Sequence, residues 1–201
     1  PSRFANVLGG IFAEMVAYGE RWYLKATRTG SSYMDLLAAD VYRAFPDVEH
    51  AEFRAAYKND ELIFDSVQVG IPMLALQKYP FAEYHTSNDD PSRIREEDLQ
   101  HGLEVMLHLV DVLERDRVVS YVHAVPAWMT RYDLYEDSVT RENGHERMFQ
   151  LAYCLFDGTT SVLQAANAFD ERFEDTDDYV RKMDRHELLR TVDLAPARIG
   201  R

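Results

Sequence analysis

Tyr84-His85-Thr86-Ser87-Asn88-Asp89 places a phenol, an imidazole, two aliphatic hydroxyls, an amide and a carboxylate within six residues, shortly after an apolar run, Pro72 to Leu76, that reads as a strand. A histidine on the loop at a strand's C-terminal edge is where open α/β sheets put ligands and metals. His85 can offer a ring nitrogen to a metal, while Asp89 or a neighbouring hydroxyl fixes its tautomer or its loop. The hexapeptide equally describes a solvent-facing histidine in a polar turn. One histidine cannot hold a catalytic metal alone, so other ligands are needed. Glu14 is the second candidate, a lone carboxylate in the apolar run Ile11-Phe12-Ala13-Glu14-Met15-Val16. Buried, it must be paired or metal-bound. Period-two alternation would equally turn it to an exposed face.

The elements that must position these residues can be read from periodicity. Leu8 to Ala17 and Arg21 to Thr27 read as strands, and Thr29-Gly30 as a turn. Ser32 and Asp35 resemble a capping box, and Met34, Leu37, Val41 and Phe45 then recur at helical spacing until Pro46-Asp47. Glu52 to Tyr57 reads as the next strand and Lys58 to Gly70 as irregular. A long helix is predicted from Glu96 to about Arg115, with a buried seam of Leu99, Leu103, Met106, Val110 and Leu113, widened by Val105, Leu109 and Val112. Opposite that seam lie Glu97, His101, Glu104, His108 and Asp111, whose spacing could make a metal face but reads as a solvated one.

Strands interleaved with helices predict an α/β fold over residues 1–116, with a mixed, mostly parallel sheet and flanking helices. Residues 117–143 are irregular and aromatic and read as a connector. Residues 144–201 read as a winged-helix-like module: helices over Glu146–Phe156, from Thr160 through Ala168, and from a Thr176 cap to His186, then an extended Leu188 to Leu194.

Composition narrows the function classes. The 201 residues are 46% hydrophobic and 28% charged, which is the balance of a folded domain. No apolar run approaches the roughly 18 residues of a membrane span, so no membrane partner is expected. The net charge of -13 argues against nucleic acid, which demands clustered cations. The Glu174-Asp175-Thr176-Asp177-Asp178 run would set carboxylates against phosphates, and Arg181, Lys182 and Arg185 read as helix C-terminal charges. Cys154 is the only cysteine, which leaves no disulfide framework or thiolate metal site and suggests the cytoplasm. His50, His123, His145 and His186 have no neighbouring ligand pattern. Neither a nucleophile elbow, a phosphate loop nor a dinucleotide fingerprint occurs.

Three blocks carry a family resemblance: Asn59-Asp60-Glu61-Leu62-Ile63-Phe64, Gly70-Ile71-Pro72, and Tyr84 through Asp90. In order and spacing they resemble the C-terminal half of the co-catalytic zinc aminopeptidase fold, in its bacterial aminopeptidase-like branch with a C-terminal winged helix. The resemblance covers roughly residues 7 to 115. It implies His85 and Glu14 as ligands to different metals of a two-zinc centre; by position alone, Asp89 reads as a loop or supporting residue, Asp60 as shaping the loop beside the site, and Tyr84 as a pocket wall. The implied chemistry is hydrolysis of a peptide or amide substrate. The family's first His, bridging Asp and Glu-Glu pair precede the Glu14 strand. Here the thirteen residues ahead of Glu14 contain no His, Asp or Glu. A co-catalytic pair needs about five ligands and a general base. The expectation is therefore part of a zinc hydrolase, incomplete as it stands, completed by an N-terminal complementing segment or acting as a homo-oligomer. The alternative is a non-catalytic interaction or regulatory protein on a degenerate hydrolase scaffold.

Overall fold

The computed structural model describes residues 6–125, 127–134 and 153–192. The chain divides into two compact units, with the boundary between Leu113 and Glu114.

The first unit is built on a four-stranded sheet. Its strands are β1 (Gly10–Glu14), β2 (Arg21–Lys25), β3 (Val48–Ala51) and β4 (Met73–Tyr79), in the order β1-β4-β2-β3. β1 runs parallel to β4, β2 parallel to β3, and β2 antiparallel to β4. The sheet is thus mixed and mostly parallel, with flanking helices. β4 is central and buried along almost its whole length, so Leu74, Ala75 and Leu76 have no exposure. Such strands read as continuous apolar runs rather than alternating ones.

Helix α1 (Tyr33–Ala44) starts where the capping residues predict. The Ser32 backbone N–H donates to the Asp35 carboxylate at 2.7 Å and its hydroxyl at 2.8 Å. Asp35 also accepts from the Thr27 backbone N–H at 2.9 Å, which ties the helix start to the end of β2. Two expectations shift here. The edge strand is Val48–Ala51 rather than Glu52–Tyr57, because Val48 to Ala51 pair in register with Trp22 to Lys25. The irregular stretch after Lys58 contains a short helix, α2 (Glu61–Phe64).

Helix α3 (Glu96–Arg115) has the predicted limits but a different buried face. Gly102, Val105, Leu109 and Val112 point inward, whereas Leu99, Leu103, Leu107 and Val110 are exposed. Gly102 lets the helix close on the sheet: a Cβ there would lie 3.0 Å from the Trp22 ring. His101 and His108 are correspondingly not on a solvated face. His108 Nε2 lies 2.8 Å from the buried Asp40 of α1, and His101 Nε2 lies 3.0 Å from Asp47 while its ring packs on Trp22 and Phe45.

Among the described residues, the second unit holds a three-stranded antiparallel sheet, a helical turn at 153–155 and two further helices. β5 (Val118–Tyr121) is central, between β6 (Asp157–Ser161) and β7 (Leu189–Val192). β5 falls at the start of the stretch read as a connector. The two further helices are α4 (Val162–Ala168) and α5 (Phe173–Asp184). Ser161, not Thr160, caps α4, its hydroxyl accepting from the Gln164 N–H. α5 begins three residues before Thr176, which is buried inside the helix with its hydroxyl bonded to the Arg172 carbonyl. Most of the expected helix Glu146–Phe156 lies outside the described residues. Asp177 is fully buried and is gripped by Arg115, by Arg117 at 2.5 Å and by Arg181 at 2.9 Å. The carboxylates at the start of α5 are therefore internally neutralised in part, and Arg181 is the i,i+4 partner of Asp177 rather than a free helix-end charge.

Candidate functional site

Glu14 is the last residue of β1, and its register partner on β4 is Gln77. The histidine loop follows β4 after Tyr79-Pro80, a cis peptide. Since β1 and β4 are adjacent and parallel, Glu14 and the loop bearing His85 belong to the same C-terminal edge of the sheet. That edge is the usual location of ligand sites in open α/β sheets.

Glu14 is half-buried and held by two side-chain amides. Asn59 Nδ2 donates to one carboxylate oxygen, and Gln77 Nε2 donates to the other at 3.3 Å. Gln77 has no exposure; its Nε2 also reaches the Tyr57 carbonyl at 3.4 Å, and its Oε1 is buried with no hydrogen-bond partner among the described residues. The Tyr57 carbonyl accepts a second bond, at 2.7 Å, from Lys25 Nζ. Lys25 is paired at 2.7 Å with Glu61, each side chain 1% exposed. Glu61 in turn accepts from the Asn59 backbone N–H at 2.9 Å. One buried ion pair thus fixes both the carbonyl that Gln77 uses and the residue whose amide holds Glu14.

An aromatic column links this cluster to the histidine. The Tyr57 and Tyr84 ring centroids are 4.2 Å apart, and Tyr84 stacks on His85 at 3.9 Å with an interplanar angle of 18°. Tyr57 also meets Tyr79 edge-on at 5.0 Å, and its hydroxyl donates to the Phe81 carbonyl at 2.9 Å. Burial pushes the Tyr57 hydroxyl pKa up, against the lowering effect of that bond. His85 is exposed and sits at φ 61°, Met15 after Glu14 at 51°, and Ala56 before Tyr57 at 55°. These are the described non-glycine residues of the first unit with left-handed backbone. Each carries a steric cost of roughly 1–2 kcal/mol, and such strain concentrates at functional sites.

Tyr84 lies between Tyr57 and His85. Asp60 is exposed at the start of α2, where its backbone carbonyl accepts from Ile63 and Phe64. Asp89 is exposed, and its N–H donates to the Thr86 carbonyl at 3.3 Å. The carboxylate that closes this loop belongs to Asp90, which accepts from the Ser92 N–H at 2.8 Å; bonds from Ser92 hold its pKa below the ordinary range. Gln77, Lys25 and Tyr57 carry no motif. The only sequence signal for Lys25 was a charged residue in a strand otherwise destined for burial.

Among the described residues no three His, Cys, Asp or Glu side chains converge into a group able to hold a metal ion. Both Glu14 oxygens already accept amide hydrogen bonds. The described residues therefore do not fit a zinc ion by themselves, still less a pair.

Fold and placement define the first unit as an α/β domain with a polar and aromatic cluster at the carboxyl edge of a mixed sheet. The chain belongs to the family described as Domain of unknown function (DUF4910), whose sequence profile matches residues 2–116. In three dimensions it is similar to a crystal structure from Clostridium acetobutylicum provisionally described as a peptidase. The TM-score is 0.75 at 21% identity, covering 93% of this chain and 42% of that one. The chain thus spans about two fifths of the length of the structure it matches. At this identity the likeness establishes the fold. No curated protein matches the chain in sequence. No described helix is long and apolar enough to cross a membrane.

Proposed function

We propose that this chain contributes to a peptidase-like hydrolase acting on peptide or amide bonds, with Glu14 and His85 among the groups surrounding the reacting centre. The observation that supports it is placement: Glu14 closes β1, and the loop bearing His85 leaves the adjacent parallel strand. In this reading Asn59 and Gln77 hold the Glu14 carboxylate in its orientation, while stacking on Tyr84 sets the plane of the His85 ring. Tyr84 and Tyr57 form the wall beside it, and Asp60 and Asp89 shape the flanking loops. Zinc, in the family that the sequence resembles, supplies Lewis-acid activation of water and carbonyl. The described residues do not fit it alone, so the reading assigns the other ligands and the general base to residues beyond them. The helix pair and antiparallel sheet of the second unit suit a winged-helix module in a packing role.

A second reading has its own support. The lack of a converging ligand group among the described residues favours a scaffold that binds without catalysing. Calorimetric titration of the purified chain with zinc separates the two. Binding at roughly micromolar dissociation constants that disappears in both His85→Ala and Glu14→Ala supports the hydrolase half-site. Absence of binding, or binding unchanged in both variants, favours the scaffold.

A further inference from the structure

The outer face of α3 is an apolar stripe in water. Leu99 and Val110 are 45% exposed and Leu103 and Leu107 57% exposed, at spacings of four, four and three that align them on one side of the helix. Single exposed aliphatics need no explanation, but four in a row make a contiguous patch of the kind that marks an interaction surface. The charges around it favour one kind of occupant. Glu96, Glu97 and Glu104 are exposed on the same helix, and α3 contains no Lys or Arg before Arg115. A helix that faces only solvent gains from opposite charges four residues apart. Here the cations are not on the helix itself.

We propose that this stripe is the docking face for a basic amphipathic helix, whose apolar side covers Leu99, Leu103, Leu107 and Val110 and whose Lys or Arg residues meet the flanking carboxylates. A second copy of this chain is the poorer occupant, because pairing α3 with itself brings two acidic rims together. The inference does not depend on the hydrolase reading.

The test uses the full chain and three synthetic peptides of about eighteen residues, long enough to follow the helix. One is amphipathic with Leu at helical spacing and Lys flanks, one has Glu in place of Lys, and one is a scrambled sequence of the basic peptide. The basic amphipathic peptide binds, weakens as salt rises, and loses at least tenfold in affinity in a Leu103→Ser/Leu107→Ser variant. Those side chains are exposed, so the variant keeps its circular dichroism spectrum and melting temperature. Equal binding of the scrambled or the acidic peptide, or no binding at all, overturns the proposal. So does sedimentation showing a wild-type dimer that the double variant abolishes, which would give the face to a second copy.

Discussion

Lys25 and Glu61 are an ion pair removed from water on both sides, and the cost of deleting one member exceeds what the pair itself contributes. A buried pair roughly balances its desolvation, whereas a single orphaned charge does not. Glu61→Ala is therefore expected to destabilise the first unit by about 3–5 kcal/mol, read from urea unfolding. Lys25→Met/Glu61→Leu should recover much of the loss, and a double variant as unstable as the single one would show that the pair is worth more than its burial costs. Because Lys25 also holds the Tyr57 carbonyl, the double variant should loosen the Gln77 contact to Glu14 even where stability returns. At this scale Glu14 and His85 stood out in the sequence because a charge in an apolar strand and a histidine in a post-strand loop are chemically conspicuous. Asn59 and Gln77 did not, since an amide announces nothing until the fold brings it to a carboxylate 45 or 63 positions away.

Helix α3 shows how an element can be placed correctly and rotated wrongly. Its limits were legible from acidic residues in the first turn and a basic one in the last. Its buried face was not, because Leu and Val occupy more than half of its circumference and the largest residues point outward. What settles the phase is Gly102 against Trp22, together with His108 against Asp40 and Asp98 accepting from Lys78 at 2.6 Å. All three contacts join distant parts of the chain, which periodicity cannot register. The same reason explains β3: its polar Glu49 and His50 look unlike a strand until β2 supplies the ladder. Gly102→Val should push α3 off the Trp22 ring and cost about 1–3 kcal/mol, the usual range for overpacking. In a Trp128→Phe background, where Trp22 is the one remaining tryptophan, quenching of its fluorescence by added iodide should rise with Gly102→Val; unchanged stability and quenching would mean that the helix has room to spare.

Across the whole molecule, the two units rest on separate ionic frames. The first uses Lys25–Glu61 and Lys78–Asp98, the second the three guanidinium groups around Asp177. Burial works to raise the Asp177 pKa, but hydrogen bonds and charge from Arg115 and Arg117 outweigh it, and the folded value is lowered. A carboxylate with a depressed folded pKa contributes stability that is complete above its unfolded value, about 3.9, and is lost as pH falls through the folded one. Asp177→Asn removes that contribution and leaves Arg115, Arg117 and Arg181 with one fewer counter-charge. At pH 7 the variant should be less stable, with faster hydrogen exchange in α4 and α5 and little change in α1 and β4. The stability gap between wild type and variant should narrow once the pH drops below about 4. A gap of the same size at pH 2.5 and pH 7, measured by urea unfolding, would locate the loss in packing rather than in the charge on Asp177.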